Sequence, residues 1–330
     1  MNNKNEVTHF TTAGSGSVVI ATVAAIAMIA ATAMLMPSLR PEAEFGICFP
    51  FPSNWCPQDL QILINSLLIG CAVVMAFFMN KKHSFVRSTE SILPVAMTVI
   101  LASNPVNTSY LGTPVFMLIV NLMCLDIMMK SYHSENATTS MFAVATYLSI
   151  GSMLQYSFIP LLLVYPVMGI MIKAFRFKEL TAYLMGIVAP YWVAFGFGMI
   201  SLSDFNMPRF LVNMPATDGD YLLFVFISLA TLGLVGLMTT LNNAMLTYSG
   251  SMRVRSINTM INFLGLACFI CMIVDFDNFG AYASTFCFTS SVQISNFFAM
   301  RHIPYSDVWF WSLLSVFLLY FIMMIISCLT

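Results

Sequence analysis

Three carboxylates in the first long polar segment are the residues best placed to do chemistry. Glu42, Glu44 and Asp59 lie in residues 38–60, SLRPEAEFGICFPFPSNWCPQDL, between two apolar runs. A carboxylate held over a cavity can act as a general base or as a metal ligand. Each can equally be a solvated loop charge, and Asp59 can cap the helix that follows it. The sequence leaves these alternatives open.

The same segment contains two cysteines, Cys48 and Cys56. If the segment lies outside the cytoplasm, they can form a disulfide, which would add roughly 2–3 kcal/mol of stability for so short a loop. Spacing does not establish connectivity, so two unpaired thiols remain the alternative. The other six cysteines fall within apolar runs. Among them, Cys268 and Cys271 have CxxC spacing, but they are interpreted as packing residues because no second pair accompanies them.

Composition places these residues in a membrane protein. Of the 330 residues, 59% are hydrophobic and 8% are charged, and the mean hydropathy is +0.86. Soluble domains carry about 25% charged residues, so most of this surface must face lipid. We expect an all-α integral membrane protein, with residues 1–330 forming a single polytopic domain and no soluble domain. Residues 38–60 are the first outer loop and residues 203–220 are the second.

Two apolar runs have lengths that do not fit one membrane crossing. Residues 141–172 are too many for one helix of about 20 residues and few for two. Lys130 precedes this run and Lys173 follows it. Because basic loops stay in the cytoplasm, the run must be a short hairpin, which turns near Gln155 and Tyr156. Residues 92–102 and 111–129 form a second short hairpin around the uncharged segment SNPVNTSYLGTP.

Counting both hairpins gives about 11 transmembrane helices. The N-terminus is then cytoplasmic and the C-terminus periplasmic, in the cell inner membrane. Of 13 Lys and Arg residues, only Arg40 and Arg209 fall on the outer side. This asymmetry is the main support for the predicted orientation.

The spans carry few ionisable groups. No charged residue is predicted near the middle of a span, which argues against an ion-coupled carrier. Asp126 and Lys130, four residues apart, are predicted to form an ion pair on one helical face. The amides within spans are expected to form hydrogen bonds between helices; they are Asn65, Asn121, Asn242, Asn243, Asn262 and Gln293. Gln155 differs because it lies at a hairpin turn inside the bilayer, where a cavity role is also open.

One region also resembles known proteins. Residues 96–175 include AMTVILASNPVNTSYLGTPVFMLIVNLMCLDIMM and YLSIGSMLQYSFIPLLLVYPVMGIMIKAF. This region resembles an uncharacterised family of bacterial inner-membrane proteins, a domain of unknown function. It is more distantly similar to polyprenyl-linked glycosyltransferases of the C type. That resemblance implies an active site that opens to the outer leaflet, below a first outer loop bearing an acidic catalytic residue. Glu42, Glu44 and Asp59 occupy that loop, and Gln155 stands where a lysine is common.

Two functions follow as alternatives. The first is a lipid-linked glycosyltransferase-like enzyme of cell-envelope polysaccharide assembly, which would use a polyprenyl-phosphate-linked substrate. Its cavity would be lined by Asn104, Asn107, Gln155 and Tyr156, with Arg40 and Arg209 near the phosphate of the carrier lipid. The second is a non-catalytic membrane partner, or a lipid-handling or transport subunit, of an envelope complex. The expected partners are membrane lipids or envelope protein subunits and not nucleic acid; no metal site is predicted, and no cofactor is indicated.

Overall fold

The computed structural model describes residues 15–35, 57–86, 91–132, 137–173, 176–200, 221–247, 251–300 and 306–329. Regular structure in these ranges is entirely helical. The α-helices are α1 Ser15–Leu35, α2 Gln58–His83, α3 Ile92–Ala102, α4 Pro105–Thr108, α5 Thr113–Lys130, α6 Thr138–Leu154, α7 Ile159–Met171, α8 Phe177–Gly196, α9 Tyr221–Thr247, α10 Met252–Val274, α11 Phe279–Met300 and α12 Ser306–Leu329. Two 3-10 turns, Tyr156–Phe158 and Phe276–Asn278, precede α7 and α11. The predicted all-α class is confirmed.

Six of the described helices are long and apolar enough to cross a membrane by themselves: α1, α2, α5, α9, α10 and α12. The helices α3 and α7 are apolar but shorter. The chain is therefore described as a helical membrane protein, while the count of about 11 spans stays a prediction.

The chain turns back on itself where the sequence predicts a hairpin. Side chains of α6 contact α8 in parallel register, since each bond joins residues about 40 positions apart. The pairs are Thr138 with Glu179, Ser149 with the Ile187 carbonyl and Ser152 with Tyr191. Because α6 and α8 run in the same direction, α7 must run in the opposite direction between them. Residues 141–172 therefore form a hairpin, and the break lies at Gln155 and the 3-10 turn that follows.

The second predicted hairpin is also present. Near its end, α2 meets the end of α5 through His83 and Asp126. Near its beginning, α2 meets α4 through Asn65 and Asn107. Because α2 and α5 are parallel, α3 returns between them. The segment between α3 and α5 contains α4, which starts at Pro105 and is capped by the Asn104 side chain, the acceptor for the Val106 amide at 3.1 Å.

These contacts give the bundle two distinct ends. At one end of the bundle, α2, α5 and α7 end, and α6, α8 and α10 begin. This end is called the basic end. Every Lys and Arg among the described residues lies there; they are Lys81, Lys82, Lys130, Lys173, Arg176, Lys178, Arg253 and Arg255. The opposite end, which contains α4 and both 3-10 turns, is called the break end.

The helix α11 lies at the centre of the bundle. It packs against α3, α5, α9 and α10, and residues 281–296 are all buried. Its sequence, FGAYASTFCFTSSVQISNFFAM, is rich in hydroxyl and amide side chains. Such residues are tolerated inside a membrane bundle when neighbouring helices satisfy them. The helix α11 begins at the break end and runs from there through the centre of the bundle.

Candidate functional site

The most polar buried site described in the molecule surrounds the carboxylate of Asp275 at the break end. Asp275 is 1% exposed. Its Oδ2 accepts hydrogen bonds from Tyr282 Oη at 3.2 Å and Ser157 Oγ at 3.5 Å. Its Oδ1 accepts from Asn278 Nδ2 at 3.1 Å and Tyr156 Oη at 3.5 Å. These residues, together with Gln155, are called the Asp275 cluster.

Local chain geometry explains why these side chains converge. The helix α10 ends at Val274, and Asp275 leaves the helical region with φ −108° and ψ 65°. The 3-10 turn Phe276–Asn278 then starts α11, one turn of which brings Tyr282 back beside the carboxylate. Gln155 likewise leaves α6 in an extended conformation, with φ −151° and ψ 132°. Two separate helix breaks thus meet at one point.

Gln155 and Asn278 connect the two breaks directly. Gln155 Nε2 donates to Asn278 Oδ1 at 3.3 Å and to Ser157 Oγ at 3.4 Å. Asn278 Nδ2 also contacts Tyr156 Oη at short range. The Oδ1–Tyr156 and Oδ2–Ser157 contacts of Asp275, at 3.5 Å, are at the long limit for hydrogen bonds. The carboxylate is therefore surrounded by hydroxyl and amide donors, two of which are held loosely.

A second polar cluster lies around α4. Asn107 Oδ1 accepts from Ser284 Oγ at 2.8 Å, and the Asn107 carbonyl accepts from Asn65 Nδ2 at 2.7 Å. Asn107 Nδ2 donates to the Leu101 carbonyl at 3.3 Å. The backbone at Gly280 lies so close that an added Cβ would be 2.7 Å from a Val106 methyl group. This group of residues, called the α4 cluster, adjoins the Asp275 cluster through the first turns of α11.

Several buried polar atoms of the α4 cluster have no hydrogen-bond partner among the described residues. They are Asn65 Oδ1, Asn104 Nδ2, Thr108 Oγ1, Ser109 Oγ and Thr113 Oγ1. Gln155 Oε1 in the Asp275 cluster is also unpaired. A buried unpaired polar atom costs about 1–3 kcal/mol. Unpaired buried atoms also occur in the other half of the bundle, at Asn262, Gln293 and Asn296. The α4 cluster differs in that five of them lie close together, which favours a place for polar molecules over a dry packing interface.

A third cluster lies at the basic end. Asp126 Oδ2 is 2.5 Å from Lys130 Nζ, so the predicted ion pair is confirmed. Asp126 Oδ1 also contacts His83 Nε2 at 2.8 Å and Lys82 Nζ at 3.5 Å. Arg253 Nη2 is 3.4 Å from His83 Nδ1. These contacts connect α2, α5 and α10 and hold the three helices together at the basic end.

The structure brings together only part of the predicted site. Gln155 and Tyr156 belong to the Asp275 cluster, and Asn104 and Asn107 belong to the α4 cluster. Asp59 is exposed in the first turn of α2. The remaining predicted residues lie outside the described residues; they are Arg40, Glu42, Glu44, Cys48, Cys56 and Arg209.

Sequence reasoning missed Asp275, Asn278 and Tyr282 as members of a site. The sequence predicts Asp275 to be one of the acidic residues of the outer loops. The structure corrects this prediction, because Asp275 is buried. The connection from α10 to α11 is a single 3-10 turn, which is too short to leave the bundle. The signal was present in the short polar segment DFDN between two runs of membrane length.

Comparison with known proteins gives no family for this chain. No family model, no curated protein and no solved structure matches it. Within the described ranges, no three His, Cys, Asp or Glu side chains are grouped so that they could hold a metal ion.

Proposed function

We propose that this chain is a membrane-embedded enzyme acting on a lipid-linked substrate at its break end, with the Asp275 cluster as the reacting centre. The class we favour is a glycosyltransferase-like enzyme of cell-envelope polysaccharide assembly. The break end would face the outer leaflet of the inner membrane, with the N-terminus in the cytoplasm and the C-terminus in the periplasm. A carrier of the polyprenyl-phosphate type would bring the sugar.

The observation that supports this proposal is a buried carboxylate inside a helical membrane bundle. Ionisable groups at such positions are costly, and they mark functional sites by default. Asp275 is placed where two helix breaks meet, beside the unpaired polar atoms of the α4 cluster. Irregular backbone at membrane depth is tolerated where protein buries it or where it lines a cavity.

The proposed chemistry assigns a role to each group. The Asp275 carboxylate accepts the proton of an acceptor hydroxyl as that oxygen bonds to the anomeric carbon. The bond from the anomeric carbon to the phosphate oxygen breaks in the same step, and the polyprenyl phosphate leaves as an anion with the bonding electron pair. Tyr282 and Asn278 hold the carboxylate in place, while Gln155 fixes Asn278. The amide and hydroxyl groups of the α4 cluster bind sugar hydroxyls. Arg40 and Arg209, predicted from the sequence, would meet the phosphate of the carrier.

The test compares three carboxylate variants in nanodiscs supplied with polyprenyl-phosphate-linked radioactive sugar. Transfer of label by the wild-type protein should fall at least 100-fold in Asp275→Asn, because the amide cannot accept the proton. Asp307→Asn, in the first turn of α12, is the control and should keep wild-type transfer. Should Asp59→Asn abolish transfer while Asp275→Asn does not, the acid lies in the first outer loop, as the resemblance implies.

A lipid-handling or partner subunit is the second candidate, and one observation favours it. Nearly all side chains of the Asp275 cluster are fully buried, which also suits a network that only joins the two breaks. In that case Asp275→Asn lowers the thermal midpoint of the purified protein, and the wild-type protein transfers no sugar from any donor. Co-purification of stoichiometric envelope subunits would support this second function.

A further inference from the structure

An apolar groove of about 700 Å³ lies between α1, α2 and α3. Its walls are residues 18–29 of α1, residues 66–77 of α2, and residues 91–102, which include α3. Each wall covers eleven residue steps, or about 16 Å at the rise of an α-helix. The groove is therefore a long channel parallel to the helices, separate from both polar clusters of the break end.

The hydroxyl groups of Thr22, Ser66 and Thr98 in the groove are satisfied by their own helices. Thr22 Oγ1 donates to the Val18 carbonyl at 2.9 Å, Ser66 Oγ to the Leu63 carbonyl at 2.8 Å, and Thr98 Oγ1 to the Pro94 carbonyl at 2.6 Å. The hydroxyl groups therefore do not need a partner from a ligand. The groove therefore offers an occupant an apolar surface.

A positive charge lies at one end of the groove. Ser66, Gly70, Val73 and Phe77 line it from α2 at helical spacing. One turn further along the same face is Lys81, which is exposed. Lysine beside a membrane-facing apolar surface attracts anionic headgroups. The groove and Lys81 together match a molecule with one anionic end and a hydrocarbon chain.

We propose that this groove binds an anionic glycerophospholipid of the bilayer, with one acyl chain along α1, α2 and α3 and the phosphate at Lys81. From Lys81 to Ser66 the distance along α2 is about 22 Å, a length that suits one acyl chain. The site does not depend on the reaction proposed for the Asp275 cluster. It would fix α1, which packs mainly on α3, to the rest of the bundle.

Gly70 offers a substitution that fills the groove without disturbing the backbone. A Cβ built on Gly70 meets no atom within 4 Å, so Gly70→Leu places a side chain into the groove. Gly196 at the end of α8 has the same open surroundings and does not line the groove. Gly196→Leu is therefore the matched control. For the charge, Lys81→Gln is matched by Lys178→Gln in the first turn of α8.

The experiment uses the full-length protein in nanodiscs containing phosphatidylglycerol with a photoreactive diazirine in the acyl chain. Cross-links to residues 15–35 and 91–102 are counted by mass spectrometry, relative to cross-links on the exposed face of α12. We expect this ratio to fall at least fivefold in Gly70→Leu and to be unchanged in Gly196→Leu. In Lys81→Gln, the preference for phosphatidylglycerol over phosphatidylethanolamine should be lost, whereas Lys178→Gln keeps it.

Three results would overturn the proposal. Equal ratios in wild-type protein and Gly70→Leu would show that the groove holds no specific chain. An unchanged headgroup preference in Lys81→Gln would remove the phosphate site. Displacement of the photoreactive lipid by polyprenyl phosphate, but not by unlabelled phosphatidylglycerol, would assign the groove to the carrier substrate instead. None of these outcomes alters the sugar-transfer test of Asp275, so the two proposals fail separately.

Discussion

At the scale of single residues, amide side chains hold the interior of this protein together. Asn121 Nδ2 donates to Thr285 Oγ1 at 2.9 Å and Asn296 Nδ2 to Asn258 Oδ1 at 3.2 Å. These bonds confirm the interhelical role predicted for Asn121, and Asn65 and Asn243 make bonds of the same kind. Asn242 differs, because its side chain donates to the Met238 carbonyl of its own helix. Asn65, Asn121 and Asn243 thus each donate a hydrogen bond to another helix.

Asn107 is the amide whose loss we expect to cost most. In Asn107→Ala, Ser284 Oγ and the Leu101 carbonyl lose their bonds inside the bundle, so the free energy of unfolding should fall by about 1–3 kcal/mol. Steric-trapping measurements in bicelles would give this value. Asn242→Ala is the control, and its change should stay within about 0.5 kcal/mol. Equal losses of unfolding free energy in the two variants would show that the hydrogen bonds of Asn107 in the α4 cluster stabilise the fold no more than the bond of Asn242 does.

At the scale of elements, the helices are positioned by breaks and by close approaches. The breaks after α3, α6 and α10 all lie at the break end, so the polar backbone and side-chain groups that they free are collected in one place. A close approach between α6 and α8 lies at Gly186. A Cβ there would lie 2.5 Å from the Phe142 carbonyl oxygen and 2.8 Å from the Ala145 Cβ. Small residues allow this contact between membrane helices.

Gly186→Ala should therefore separate α6 from α8. Because the obstructing atom is a backbone oxygen, it cannot move aside as a flexible side chain would. We expect a lower thermal midpoint in detergent, with a loss of roughly 1–3 kcal/mol typical of overpacking. Gly70→Ala is the control, since its Cβ meets nothing within 4 Å and helix propensity favours alanine. If both variants were equally stable, α6 and α8 would not be packed as described.

At the scale of the whole molecule, the distribution of charge gives the bundle a polarity. Every described Lys and Arg lies at the basic end, although these residues come from distant parts of the sequence. Lys130 and Lys173 are at this same end because α6 and α7 form a hairpin. A bundle with this asymmetry is expected to insert with its basic end in the cytoplasm.

Cysteine labelling in intact cells tests this orientation. Lys130→Cys and Lys178→Cys should react with a membrane-impermeant maleimide only after the cells are opened. Pro57→Cys, at the start of α2 and the opposite end of the bundle, should react in intact cells. Labelling is measured as the increase over the unmodified chain, which has its own cysteines. Reaction of Lys130→Cys in intact cells with no reaction of Pro57→Cys would reverse the topology and move the proposed chemistry to the cytoplasmic face.

Much of the fold could be predicted from the sequence, because a lipid environment restricts the hydropathy and length of each helix and the positions of Lys and Arg. The bounds of α3 agree with the predicted apolar run 92–102, and both short hairpins turn where residue counts and basic residues indicate. The candidate site was accessible only in part. Gln155, Tyr156, Asn104 and Asn107 were recognised because they interrupt apolar runs. Asp275 was not recognised. A polar residue at the end of a long apolar run gives the same sequence pattern whether it faces water or the interior of the bundle.

Local features of the sequence predict the class of protein, the apolar runs and the asymmetric distribution of the charges. These properties depend on local quantities, namely hydropathy, run length and the positions of Lys and Arg. Which polar residues meet depends on how the helices pack. Gln155 and Asn278 are 123 positions apart, and the choice of partner depends on helix packing. Packing places α11 at the centre of the bundle and brings the beginning of that helix against two breaks formed elsewhere in the chain.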